Sequence, residues 1–186
     1  MIIGLTGTKA SGKGVVADML KEKGFSYYSL SDIVREEAKR QGISNYNISQ
    51  LQDIGNKLRE KYGNGILAKR ILEKIEEGKN YAIDGIRNPE EVEELRKCKG
   101  HKFILIAVDA APEIRFKRLI ERKRESDPKD WQGFLEMDRR DRGTAEENSG
   151  QQVEKCIEIA DIKIYNSSSI EALKNKIEKM LKDLKC

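Results

Sequence analysis

Apolar and aromatic residues in this chain alternate between short runs and stretches in which they recur three or four positions apart. The short runs predict strands at residues 2–5, 25–30, 81–83, 103–108 and 162–165. The run 103–108 is continuously apolar, which is typical of a strand buried on both faces of a sheet. The intervening stretches have the spacing of amphipathic helices. These begin near residues 13, 31, 49, 65, 89, 112 and 168.

Strands that alternate with helices predict a parallel sheet covered on both faces. We therefore expect an α/β fold of three layers, αβα, around a five-stranded parallel sheet. Ser31 is the expected N-cap of the second helix, and Ser168 with Glu171 is the expected capping box of the last. Residues 123–150 are polar and loosely patterned. We interpret residues 123–145 as a mobile lid inserted in the domain.

The length, charge and cysteine content favour a single soluble domain that binds small anions. A chain of 186 residues is most simply one domain, 1–186, and its net charge of +4 suits binding of small polyanions without requiring nucleic acid. No apolar stretch reaches the length of a membrane span. The three cysteines lack the spacing of disulfides or metal sites. We expect a cytoplasmic monomer or homodimer with no membrane or nucleic-acid partner.

The loop after the first predicted strand has the spacing of a phosphate-binding P-loop. Gly7 is followed by four residues and then by Gly12 and Lys13. Glycines let successive backbone N–H groups converge on a phosphate, and the following helix adds the positive end of its dipole. We predict that ATP is held by Gly7, Lys9, Ala10, Ser11, Gly12, Lys13, Gly14 and Val15.

The P-loop departs from the common pattern just after its lysine. Serine or threonine usually follows and holds Mg²⁺, but Gly14 and Val15 carry no hydroxyl. An acid at the end of a buried strand beside the P-loop could hold the metal through water, and Asp84 has that position. The alternative is that Asp84 and Gly85 form an ordinary turn.

Arginines cluster on either side of the polar stretch. Arg115, Arg118 and Arg122 share one helix face, and Arg139 and Arg142 follow. A solvated basic surface is one interpretation of this cluster. The other, which we favour beside a P-loop, is a lid that neutralises the moving phosphate.

Three segments together resemble nucleoside monophosphate kinases of the adenylate kinase type, which have a P-loop kinase fold. The P-loop resembles their Gly-Lys-Gly variant, and Asp32 to Arg35 resembles the start of their acceptor helix. Asp84, Gly85 and Arg87 resemble their Asp-Gly-Phe-Pro-Arg turn, with one residue fewer. The chain is also similar to kinase-like domains found beside deoxycytidylate deaminases and to archaeal relatives of adenylate kinase.

The resemblance implies transfer of the γ-phosphoryl group of ATP, with Mg²⁺, to a ribo- or deoxynucleoside monophosphate. It places the acceptor in a helical region, residues 30–78. Acceptor binding would then fall to Asp32, Arg35, Asp84 and Arg87, and catalysis to Lys13, Arg118, Arg122, Arg139 and Arg142.

Two other functions remain open from the sequence. A dephospho-coenzyme A kinase would use Asp32 as a base towards a sugar hydroxyl. A nucleotide-dependent regulatory module would bind ATP without transferring phosphate, and the hydroxyl-free Gly14 and Val15 give that alternative its weight.

Overall fold

A computed structural model describes residues 1–123, 127–144 and 149–184. Their strands form one five-stranded sheet in which every pairing is parallel. The strands are β1 (Ile2–Thr6), β2 (Ser26–Ser29), β3 (Tyr81–Ile86), β4 (Phe103–Asp109) and β5 (Ile162–Tyr165). The predicted five-stranded parallel sheet is confirmed.

The sheet order β2-β3-β1-β4-β5 puts the first strand in the centre. Ile2 is in register with Tyr81 of β3 and with Phe103 of β4. The carboxyl ends of β1, β3 and β4 consequently lie side by side, and ligands of open parallel sheets bind at this edge.

The helices connect the strands and cover both faces of the sheet. In the described residues they are α1 (Lys13–Glu22), α2 (Leu30–Arg40), α3 (Ile48–Tyr62), α4 (Ile66–Leu72), α5 (Pro89–Arg96), α6 (Pro112–Arg122), α7 (Trp131–Arg142), α8 (Val153–Glu158) and α9 (Ile170–Asp183). No described helix has the length and apolar character needed to cross a membrane.

Alternate residues of β1 build the two halves of the core. Ile2 belongs to the apolar cluster formed with α2 to α5, whereas Ile3 and Leu5 belong to the cluster formed with α1 and α9. This separation follows from the two-residue period of a strand. It confirms the predicted three layers.

Two predicted helix caps are one or two residues away from the observed caps. Ser29, not Ser31, caps α2 and accepts a hydrogen bond from the Ser31 backbone N–H. Ser169, not Ser168, caps α9 and accepts from the backbone N–H of Ala172 at 3.2 Å. Runs of adjacent serines offer several equivalent caps, so the pattern alone does not select one.

The polar stretch contains a helix that the apolar pattern did not predict. Helix α7 begins after its cap Asp130 and ends at Gly143, which adopts a left-handed conformation. Its buried residues are Phe134, Asp138 and Asp141. Because two of the three are acids paired with arginines, the helix has no apolar stripe to recognise. Residues 124–126 and 145 of the predicted lid, and residues 146–148 that follow it, lie outside the described residues.

Candidate active site

The P-loop joins β1 to α1, and its close packing requires glycine at two positions. Gly7 has φ +130°, and a Cβ there would lie 1.9 Å from the carbonyl oxygen of Val108. Gly12 has φ +111°, and its Cβ would lie 2.5 Å from Asn166 Nδ2. A side chain at either position would displace the loop.

The loop is anchored by the ends of the neighbouring strands. Thr8 Oγ1 donates a hydrogen bond of 2.5 Å to Asp109 Oδ1, at the end of β4. Asn166 Nδ2, just after β5, donates to the Ser11 carbonyl at 2.8 Å. Asp109 and Asn166 were not recognised as anchors from the sequence, although each follows a predicted strand at the carboxyl edge of the sheet.

The Lys13 ammonium group is hydrogen-bonded to the backbone of the P-loop. Its Nζ donates to the carbonyl oxygens of Gly7 at 2.6 Å and of Thr8 at 2.9 Å. Burial lowers the pKa of Lys13 to about 8, and the nearby carboxylate of Asp84 opposes that shift. The ammonium is therefore desolvated and next to the backbone amides that a phosphate would contact.

Asp84 lies beside Lys13 and is oriented by two hydrogen bonds. Oδ1 accepts from the Gly85 backbone N–H at 2.6 Å, and Oδ2 accepts from the Tyr27 hydroxyl at 3.2 Å. Burial and the Asp84 charge raise the pKa of Tyr27, so this hydroxyl stays protonated as a donor. Tyr27 was not recognised from the sequence.

The residues near the P-loop fit a magnesium ion held mostly by its substrate. No cluster of three or more histidine, cysteine or carboxylate side chains suited to a metal occurs among the described residues. Mg²⁺ keeps several waters and phosphate oxygens and needs only one or two carboxylates. Asp84 meets that requirement, whereas the Thr8 hydroxyl is already committed to Asp109.

Two adjoining cavities open at this edge of the sheet. One, of about 690 Å³, is lined by P-loop residues on either side of Ser11 (Lys9, Ala10 and residues 12–15), by Asp32 and by Asp84. The other, of about 280 Å³, lies between α2, α3 and α7. The side chains that line both are Lys9, Ser31, Arg35, Arg87 and Arg122. Four of these five carry a positive charge, so the passage between the cavities is cationic.

The smaller cavity is lined by both apolar and polar side chains. Its apolar lining consists of Leu30, Val34, Leu51, Leu67 and Met137. Among the polar lining residues, Gln52 Nε2 donates to Gln151 Oε1 at 3.2 Å, and Arg59 forms an ion pair of 2.9 Å with Glu91. Apolar walls with a few fixed polar groups are typical of small-molecule sites.

Acidic side chains accompany the arginines between the cavities. Arg122 donates to both oxygens of Asp127, at 2.5 and 2.7 Å. Arg87 donates to Asp141, on α7. Arg35 donates to Asp32 at 2.5 Å. Each of these guanidinium groups thus already donates to a carboxylate, with which a bound phosphate would compete.

The other arginines of the predicted set have different positions. Arg118 lines the larger cavity and donates to the carbonyls of Ala10 and Ser11. Arg115 is fully buried and holds Asp138 with two hydrogen bonds, of 2.6 and 2.8 Å. It therefore does not belong to a solvated basic face.

The last two predicted arginines lie outside both cavity linings. Arg139 is exposed to solvent. Arg142 pairs with Asp138, Asp109 and Glu154, which raises its pKa although burial acts in the opposite direction. The structure therefore brings Lys13, Arg118 and Arg122 together with the predicted acceptor residues but leaves Arg139 and Arg142 apart.

Comparisons with known proteins agree with this fold. A family model described as an AAA domain matches residues 3–152. A UPF0200 protein of Sulfurisphaera tokodaii is 35% identical over 181 residues, covering 97% of this chain and 96% of that protein. A UPF0200 protein of Pyrococcus furiosus is 37% identical over 186 residues, with the same coverage.

Solved structures that resemble this chain share its fold at low sequence identity. TT1252 from Thermus thermophilus has a TM-score of 0.63 at 18% identity, covering 99% of this chain and 97% of that one. Shikimate kinase from Aquifex aeolicus has a TM-score of 0.55 at 20% identity, covering 100% and 96%. The chain belongs to the UPF0200 protein family, and its fold is the nucleotide kinase-like P-loop fold that the sequence predicts.

Proposed function

We propose that this protein transfers the γ-phosphoryl group of ATP to the phosphate of a nucleoside monophosphate. The observation that carries the proposal is the cationic passage between the two cavities. The P-loop lines one cavity, and the other has the mixture of apolar and hydrogen-bonding side chains expected around a base and sugar. A phosphoryl group that moves between them would stay in contact with positive charge.

In this proposal Lys13 and the backbone of Gly7 to Val15 bind the ATP phosphates. Arg118, which reaches the loop carbonyls, and Arg122 contact the transferring group from α6. Mg²⁺ bound to the ATP oxygens with water, beside Asp84, would supply further positive charge. Arg139 and Arg142 are not part of this proposal because they lie outside the two cavity linings.

The acceptor would lie in the smaller cavity, within the helical region of residues 30–78, with Met137, Asp141 and Gln151 contributing to the lining. Arg35 and Arg87 line both cavities and suit the acceptor phosphate, with Asp32 holding Arg35. A nucleotide phosphate has a second pKa of about 6, so it is already a nucleophilic dianion at neutral pH. Catalysis then requires alignment and charge stabilisation, without a protein base.

The proposal is tested by offering ATP and Mg²⁺ with each ribo- and deoxynucleoside monophosphate in turn. Separation of the nucleotides by anion exchange should reveal ADP and one matching nucleoside diphosphate in equal amounts. Absence of a diphosphate with every acceptor, together with stabilisation by ATP, would instead support the regulatory module.

The Asp32→Asn variant separates this proposal from a kinase that phosphorylates a sugar hydroxyl, as a dephospho-coenzyme A kinase does. Transfer to a hydroxyl needs a base, and its removal should abolish the reaction. Transfer to a phosphate should only weaken, because Asp32 then acts by holding Arg35.

A further inference from the structure

Lys9 differs from Lys13, the other lysine of the P-loop, in its hydrogen bonding. Its ammonium nitrogen is buried and forms no hydrogen bond with any group the structure describes. The nearest interaction is an ion pair with Asp127 Oδ1 at 3.4 Å. Burial lowers the pKa of Lys9 to about 8. The negative charge of Asp127 opposes this lowering, whereas the positive charges of Arg122 and Arg87 lower the pKa further. A desolvated cation without hydrogen bonds is costly unless a ligand uses it.

The position of Lys9 shows what such a ligand would be. Lys9 lines both cavities, as Arg122 does. The two cations hold one carboxylate between them, because Asp127 receives two hydrogen bonds from Arg122 and the ion pair from Lys9. Burial would raise the pKa of Asp127, but these cations keep it below its usual range. A bidentate carboxylate at this place has the charge and oxygen geometry of part of a phosphate.

We infer that Lys9 is a catalytic residue that contacts the transferring phosphoryl group together with Arg122, and that Asp127 occupies that group's place until it is displaced. This inference rests on the proposed phosphoryl transfer and adds to it a residue with a stated role. From the sequence, Lys9 is predicted only to belong to the ATP-binding loop, and Asp127 has no predicted role.

We call the pair of Lys9 and Arg122 the clamp. The reaction step assigned to the clamp is a single displacement at phosphorus. An oxygen of the acceptor phosphate forms a bond to the γ-phosphorus while the bond to the β,γ-bridging oxygen breaks. The bridging oxygen keeps the electron pair and leaves with ADP, and no proton moves. Negative charge spreads over the three outer oxygens of the moving group, where Lys9 and Arg122 would stabilise it.

The test compares the affinities for ATP and ADP, since only ATP carries the group that the clamp would hold. Calorimetric titration of Lys9→Met should show about tenfold weaker ATP binding or more, with ADP binding within about twofold of the wild type. Lys9→Arg keeps the charge and should retain most of the preference for ATP. Lys117→Met removes an exposed lysine of α6 and is the matched control.

Asp127→Asn tests the second half of the inference. Removing the carboxylate frees both cations, so ATP binding should tighten several-fold relative to ADP binding. Asp127→Ala should act in the same direction, and thermal unfolding of each variant identifies any that does not fold. Weaker ATP binding by folded variants would mean that Asp127 supports the clamp, and would overturn the displacement.

These measurements do not depend on observing turnover. Equal losses of ATP and ADP affinity in Lys9→Met, or no loss of either, would overturn the inference even if nucleoside diphosphate is formed. A selective loss of ATP affinity without any diphosphate product would support the clamp while the proposed function fails. Where transfer is observed, Lys9→Met should also lower kcat by about tenfold or more.

Discussion

The buried ion pair between Arg115 and Asp138 should be a main support of α7. Arg115 is fully buried, donates two hydrogen bonds to Asp138 and donates a third to the Ala110 carbonyl at 2.9 Å. Replacing Arg115 by methionine removes all three and leaves the buried Asp138 paired with Arg142, at 3.2 Å. Removing one partner of a buried pair costs about 3–5 kcal/mol, and the remaining Arg142 should keep the loss towards the lower end of that range.

This cost translates into a measurable change in stability. For a chain of this size about 1 kcal/mol shifts Tm by about 2–4 °C, so Arg115→Met should lower Tm by about 6–20 °C. Urea unfolding followed by circular dichroism would give the free energy directly. Lys117→Met, on the exposed side of the same helix, should stay within about 0.5 kcal/mol of the wild type.

The double variant Arg115→Met/Asp138→Leu tests the reasoning more sharply. Because it removes both charges, it should cost less than the sum of the two single changes, by about 1–3 kcal/mol. Strict additivity, or a loss below about 1 kcal/mol in Arg115→Met, would show that the pair is not a desolvated support of α7.

Three further predictions follow from particular contacts. Gly7→Ala places a Cβ 1.9 Å from the Val108 carbonyl oxygen, so the P-loop must move. Calorimetric titration should therefore show ATP affinity reduced at least about tenfold. An affinity equal to that of the wild type would contradict the described loop. Ser169→Ala should destabilise the protein by about 1 kcal/mol in urea unfolding, whereas Ser168→Ala should be nearly neutral; the reverse order would favour the sequence-predicted cap. Lys9 and Lys13 have pKa values of about 8, so both lose charge as the pH rises through 8. ATP affinity should then fall towards about tenfold per pH unit for each lysine, and constant affinity up to about pH 9 would contradict this.

An element of this structure can be predicted from the sequence when the residues that determine it are close together in the chain. The P-loop is recognisable because Gly7, Gly12 and Lys13 are close in sequence and their roles are set by local backbone geometry. The parallel sheet is recognisable because residues 103–108 of β4 are a continuous apolar run and because short apolar segments alternate with helical patterns along the chain.

The parts that the sequence did not reveal depend on pairs distant in the chain. Asp138 and Asp141 look like solvated acids, yet each is buried because Arg115 or Arg87 meets it. Helix α7 was not predicted because two of its three buried residues are these acids. Asp127 has the sequence context of a loop residue, and only the fold brings it between Lys9 and Arg122.

The central claim is that ATP held by Lys13 delivers its outer phosphoryl group to a second nucleotide. The most direct measurement follows radioactive label from the γ-position of ATP in the wild type and in Lys13→Ala. The account predicts that the wild type places the label in a nucleoside diphosphate formed from the acceptor, and that Lys13→Ala loses nearly all of this transfer. Label released only as inorganic phosphate, or transfer undiminished in Lys13→Ala, would contradict it.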